Sequence, residues 1–162
     1  MDLKLKNKVV IVTGGGRGIG EGIVRLLANE GAIPVIIGRI TEDNLKVVND
    51  LQNAGLEAFQ VTAELNEPEE CKRAVDAVIA QYGRIEGLVN NAGVNDGVGL
   101  ENGSYEDFML SLQKNVVHYY LMVKYALPEL KKSKGNIVNI SSKVAETGQG
   151  GTSGYAAANG AR

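Results

Sequence analysis

Five short apolar runs, at 8–13, 33–38, 57–62, 86–90 and 136–141, alternate with amphipathic segments at 18–30, 41–53, 67–82 and 104–132. A short run that is apolar almost throughout fits a strand buried on both faces. The segments between them carry apolar residues at helical spacing. In 67–82, Cys71, Val75, Val78 and Tyr82 share one face, and Pro68 sits in the first turn, where a missing N–H costs little. Ser104 opens a Ser-x-x-Asp capping box, after which Phe108, Leu112, Asn115, Tyr119 and Val123 run along one side. Repeated β-α-β order implies an α/β protein with a parallel, doubly wound sheet. The 162 residues show no linker, low-complexity run or internal repeat, so a single domain over 1–162 is expected. The chain stops at Arg162, soon after a new helix begins near Tyr155, and leaves Ile137-Val138-Asn139-Ile140 at an open edge. Such an edge exposes unpaired backbone, and it is read as a fragment's edge, truncated after the fifth strand.

The first strand runs into Thr13-Gly14-Gly15-Gly16-Arg17-Gly18-Ile19-Gly20, and a helical pattern follows. Glycines at 14, 18 and 20 permit a sharp turn and keep side chains away from a bound phosphate. The following helix aims free N–H groups and the positive end of its dipole at the same place. Strand, turn and helix together make a socket for a dinucleotide pyrophosphate; a ligand-free glycine-rich turn has the same composition.

Composition removes other classes. Seventeen basic and nineteen acidic residues give a net charge of −2, so no strong positive field draws nucleic acid or anionic lipid. Cys71 is the one cysteine and cannot form an internal disulfide, which points to a reducing, cytoplasmic setting. The start, Met1-Asp2-Leu3-Lys4-Leu5-Lys6, lacks the apolar core of a signal peptide, and no run approaches the ~18 residues of a membrane span. His118 is the only histidine, which removes Ser-His-Asp and multi-histidine metal sites; a hydrogen-bonded structural role suits it better. No metal site is expected.

An acid about 20 residues past the glycine turn would bind ribose hydroxyls and favour NAD. Here the second strand ends in Gly38-Arg39, and a guanidinium suits a 2′-phosphate in charge and shape. Arg17 in the glycine turn can reach the same group. NADP is therefore the preferred cofactor, with NAD the alternative. Asn90-Asn91-Ala92-Gly93 ends the fourth strand, where it either lines a cofactor cleft or simply turns the chain. Ser141-Ser142 ends the fifth, and Tyr155 follows. A tyrosine that takes an alcohol proton and a serine that holds the oxygen can oxidise an alcohol by hydride transfer. Tyrosine ordinarily ionises near pH 10, so it needs a nearby cation to act as a base near neutrality.

Thr13-Gly14-x-x-x-Gly18-Ile19-Gly20, Asn90-Asn91-Ala92-Gly93, Asn115, Ser142 and Tyr155 stand in the order and spacing of the short-chain dehydrogenase/reductase family, which the chain resembles over essentially its whole length. Val94-Asn95-Asp96-Gly97, His118-Tyr119-Tyr120, Ser141-Ser142-Lys143, Thr147-Gly148-Gln149-Gly150 and Thr152-Ser153-Gly154-Tyr155 resemble a narrower group, the bacterial L-fucose (aldose) dehydrogenases. The resemblance implies a Rossmann-type fold and a division of roles. Gly14, Gly16, Arg17, Gly18, Ile19 and Gly20 would hold pyrophosphate and ribose, Glu64 and Leu65 would stand near the adenine, and Asn91, Ala92 and Gly93 would line the ribose cleft. Tyr155 would be the general base, Ser142 would hold the substrate oxygen, and Asn115 would hold a water in the proton path. Lys143 and Gln149 would be sugar contacts. A homo-oligomer is implied, with 104–132 as its interface.

One departure matters. The family pattern Tyr-x-x-x-Lys reads here Tyr155-Ala156-Ala157-Ala158-Asn159. Asn159, one helical turn on, can face the same site and offer a hydrogen bond, but it carries no charge. A loss of ~2 units of phenol acidification would slow proton transfer on the order of a hundredfold. The expected function is NADP-preferring oxidation of an aldose at its anomeric hydroxyl to a lactone, weak or absent in this chain as written. Reduction of a ketone or 3-oxoacyl thioester, or a non-catalytic nucleotide-binding relic, are the alternatives.

Overall fold

A computed structural model describes residues 3–162, so the opening Met1-Asp2 of the leader reading lies outside the described residues. Five parallel strands, β1 (Val9–Thr13), β2 (Ile33–Gly38), β3 (Phe59–Thr62), β4 (Gly87–Asn90) and β5 (Asn136–Asn139), form one sheet in the order β3-β2-β1-β4-β5. The order reverses direction across β1, which makes the sheet doubly wound. Helices α1 (Gly18–Asn29) and α2 (Thr41–Asn53) cover one face; α3 (Pro68–Tyr82) and α5 (His118–Ser133) cover the other.

Strand alternation builds two cores from one strand set. Val10, Val12 and Ile36 pack with Val24, Ala28, Val47 and Leu51 of α1 and α2. Val9, Ile11, Val35 and Ile37 pack with Cys71, Val75 and Val78 of α3 and with Met122, Ala126 and Leu130 of α5. Each fully buried Val, Leu, Ile or Met among them stabilises the fold by about 1.5–3 kcal/mol relative to exposure. Cys71 packs as expected, with its Sγ 3.3 Å from the Leu65 carbonyl, and burial pushes its thiol up to about 11.

Helix α4 (Tyr105–Leu112) starts on the expected capping box: the Ser104 hydroxyl accepts from Asp107 N, and an Asp107 carboxylate oxygen accepts from Ser104 N. The segment 104–132 is not one regular helix, however. A π-helical turn, Gln113–Val117, separates α4 from α5, and α5 continues to Ser133. The wider turn rotates the buried line, so that Ser111, Asn115, His118, Met122, Ala126 and Leu130 face inward while Phe108, Leu112 and Val123 are only half-buried. Two strands are also shorter than their apolar runs by two residues, since β3 begins at Phe59 and β5 ends at Asn139. Burial on both faces holds for β1, β2 and β4 but not for β5, whose four residues are all exposed. A short helix, α6 (Val144–Thr147), precedes α7 (Ser153–Ala161), which begins two residues before Tyr155. No helix among the described residues is long and apolar enough to cross a membrane.

Candidate active site

Parallel strands deliver their C-terminal ends to one edge. Thr13, Gly38, Thr62, Asn90 and Asn139 each hand the chain to a loop bordering a single cleft of about 640 Å3. Gly14, Gly16, Arg17, Gly18, Ile19 and Gly20 line it at the centre, Arg39, Glu64 and Leu65 on one side, and Ala92, Gly93, Ser142 and Tyr155 on the other.

The glycine turn is shaped by backbone needs. Gly18 has φ +58 and nothing within 4 Å of where a Cβ would be, so its backbone faces open space. A Cβ on Gly20 would run into the Gly14 carbonyl, and only glycine allows that approach. Arg17, the N-cap of α1, makes no side-chain hydrogen bond to the first turn, which leaves the amino end of a twelve-residue helix facing the cleft. Asn91 lines the cleft but spends its amide on the scaffold, donating to the Thr13 carbonyl at 2.9 Å and the Gly14 carbonyl at 3.3 Å. Thr13 Oγ1 in turn accepts from the Asn91 and Ala92 N–H groups. This exchange locks the glycine turn to the end of β4. A bare-backbone cradle at a helix amino end fits a dinucleotide pyrophosphate.

At the second strand's end, Arg39 is well exposed, and its Nη1 lies 3.9 Å from Glu64 Oε2. Glu64 also accepts from Asn66 N at 3.2 Å, while Leu65 is buried against the core. A guanidinium held this loosely can turn to a phosphate.

At the far end, α7 packs against α4, α6 and the π-helical turn. Ser142 is half-buried, and its hydroxyl accepts only a long 3.4 Å contact from Val144 N. Tyr155 is half-buried and lines the cleft, whereas Tyr119 is buried, with its hydroxyl donating to the Ile140 carbonyl at 3.0 Å and burial pushing it up to about 12. Asn115 and Asn159 do not reach the cleft. Asn115 is buried in the π-helical turn, donating to the Ser111 carbonyl at 3.0 Å and accepting from Val94 N at 2.7 Å. Asn159 is buried too; its amide donates to its own helix at the Tyr155 carbonyl, 2.8 Å, and its Oδ1 accepts from Arg162 at 2.9 Å. Asn159 therefore faces the helix interior and Arg162 rather than the open site. Lys143 and Gln149, expected as sugar contacts, also stand outside the cleft lining.

His118 takes the structural role expected of it. It is 1% exposed, its Nε2 lies 3.0 Å from the Lys114 carbonyl, and burial lowers it to about 4. It nevertheless borders the cleft, as do Asp96 and Lys114. Asp96 takes a hydrogen bond from Ser111 Oγ at 2.9 Å, and its other carboxylate oxygen is buried without a partner. Sequence reasoning did not place these three, or Arg162, at the cleft. Arg162 was findable, since it follows Tyr155 by seven residues and Asn159 by three, on one helix face.

A doubly wound sheet with a bare glycine turn at its switch point defines a dinucleotide-binding fold, and Ser142 and Tyr155 border the same cleft. Residues 8–162 match the short chain dehydrogenase family, and the chain belongs to it. It is 39% identical to the L-fucose dehydrogenase of Bos taurus over 162 residues, which cover 99% of this chain and 58% of that protein. The solved Cj0485 dehydrogenase superposes with a TM-score of 0.90 at 45% identity, over 99% of this chain and 61% of that one. An alcohol dehydrogenase from the archaeon Thermococcus sibiricus, complexed with 5-hydroxy-NADP, superposes with a TM-score of 0.90 at 28% identity, over 96% of this chain and 67% of that one. The chain thus spans somewhat more than half the length of these relatives.

Proposed function

We propose that residues 1–162 form one dinucleotide-binding domain of an NADP-preferring dehydrogenase that oxidises an aldose, such as L-fucose, at the anomeric hydroxyl to a lactone. The observation that carries this reading is one cleft shared by the glycine turn, Arg39, Ser142 and Tyr155. The substrate class follows the likeness to the bovine L-fucose dehydrogenase, and the cofactor class is supported by the NADP derivative held by the Thermococcus relative.

Bound in the cleft, the nicotinamide supplies the hydride acceptor. The chain's own residues do the rest. Gly18 and the amino end of α1 face the pyrophosphate, and Arg39 faces the 2′-phosphate. Ser142 donates to the sugar oxygen and holds the anomeric carbon in line. Tyr155, as phenolate, takes the hydroxyl proton, and the C–H bond releases its hydride as the C=O bond forms. Alcohol and oxidised cofactor become lactone, reduced cofactor and a proton. The outward face of α4 and α5, where Met109, Tyr120 and Leu127 are exposed, is the proposed subunit contact.

The test is a substrate panel with reduced-cofactor absorbance as the readout. Aldose oxidation with NADP is expected, and Tyr155→Phe should lower kcat/KM by roughly a hundredfold or more, the usual worth of a general base. Reduction of 3-oxoacyl thioesters without aldose oxidation would replace the sugar reading. Unchanged turnover in Tyr155→Phe would remove Tyr155 as the base.

A further inference from the structure

The helix that carries Tyr155 has no lysine one turn on, yet a cation stands beside the phenol. Arg162 folds back along α7 with its guanidinium under the site. Its Nε donates to the Asn115 carbonyl at 2.8 Å, and Nη1 donates to Asn159 Oδ1 at 2.9 Å and to the Ile140 carbonyl at 3.2 Å. Nη2 reaches Asn115 Oδ1 at 3.4 Å and abuts Gly93, where a Cβ would collide with it. The guanidinium carbon lies 4.6 Å from the Tyr119 ring centroid and 5.9 Å from that of Tyr155.

These partners are all neutral. None of the ion pairs among the described residues includes Arg162. A partly buried guanidinium stays charged in a protein, and leaving that charge without a carboxylate is costly. Four hydrogen bonds to carbonyl and amide oxygens orient the group without neutralising it. The π-helical turn contributes the Asn115 carbonyl, and Asn159 contributes an acceptor that a lysine there would lack. Asn159 and Arg162 therefore work as a pair.

We propose that Arg162 is a positioning residue that stands in for the absent lysine, its unneutralised charge favouring the phenolate of Tyr155; this rests on the reading of Tyr155 as the base. No bond is made or broken at Arg162, and the substrate proton still passes to the Tyr155 oxygen. Other groups around the phenol do not supply this charge. His118 stays neutral through burial, Asp96 is a carboxyl group and no cation, bonded to Ser111 through one oxygen, and Tyr119 is a buried phenol that donates to Ile140. Tyr105, Glu106 and Asp107 on α4, and Lys143 and Glu146 at α6, are exposed to solvent. Lys114 borders the cleft, whereas Lys143 does not, so Lys114 is the competing cation.

The test compares wild type, Arg162→Gln, Arg162→Lys and Tyr155→Phe in the full protein. Two readouts are taken: the pH profile of kcat/KM, and an ultraviolet tyrosinate titration from which the Tyr155→Phe trace is subtracted. Arg162→Gln should move phenol ionisation and the activity rise about one pH unit or more upward, a loss of about tenfold at neutral pH. Arg162→Lys should keep both near their wild-type position. Should Arg162→Gln not fold, Arg162→Lys decides: a retained profile despite its lost hydrogen bonds supports the charge, and a displaced one overturns it. An unmoved titration in a folded Arg162→Gln, as expected if Lys114 supplies the charge, overturns the proposal. So does a gain in cofactor affinity and rate, which would make Arg162 a plug. Full activity in Tyr155→Phe would instead sink the base reading, whatever Arg162 does.

Discussion

Strands β1 and β5 lead into the same cleft, and they are built in opposite ways. All five residues of β1 are buried between two helical layers, while all four of β5 are exposed at the sheet edge. The glycine turn after β1 is fixed by Thr13 and Asn91 on a packed scaffold. Apart from Asn159, the segment after β5 buries only small residues of α7, Gly154 and Ala158, and is tied by polar links such as Ser141 Oγ to the Asn159 carbonyl at 2.8 Å and the Arg162 fan. The proposed binding end thus rests mainly on hydrophobic burial, and the proposed chemical end relies more on oriented hydrogen bonds. The first is tolerant of charge and pH; the second depends on individual side chains.

The largest effect should come from the packed side. Ile36→Ala should destabilise the fold by about 2–5 kcal/mol in denaturant unfolding, because it opens a cavity under the glycine turn. The matching change at the open edge, Val138→Ala, should stay within about 0.5 kcal/mol, since Val138 is 48% exposed. Equal losses at the two positions would erase the contrast.

A smaller effect separates the two ends of the cleft. Arg39→Asp should weaken NADPH about tenfold, or ~1.4 kcal/mol, and leave NADH little changed. The modest size follows from Arg39's exposure and its 3.9 Å link to Glu64, both of which mean solvent already screens the charge. Parallel losses for both cofactors would show that Arg39 does not read the 2′-phosphate.

The contrast also explains what the sequence made legible. The strand and helix alternation, the Ser104 capping box and the glycine turn are local patterns set by side-chain period and backbone freedom, and each is found where expected. What was not legible depended on distant partners. The π-helical turn follows from packing, and it rotates the face expected for 104–132. Asn159 was expected to face the site; its amide turns instead to the Tyr155 carbonyl and to Arg162. The spacing puts Arg162 on the helix face of Tyr155, but its partners Asn115 and Ile140 meet it only once α7 docks.

The most direct measurement is a fluorescence or calorimetric titration of NADPH into wild type and Gly20→Val, with circular dichroism confirming that both are folded. Saturable binding in wild type and its loss in Gly20→Val are expected, because a side chain at position 20 drives into the Gly14 carbonyl and closes the cradle. A folded wild type that binds neither NADPH nor NADH, or a Gly20→Val variant that binds as well as wild type, would contradict the dinucleotide site.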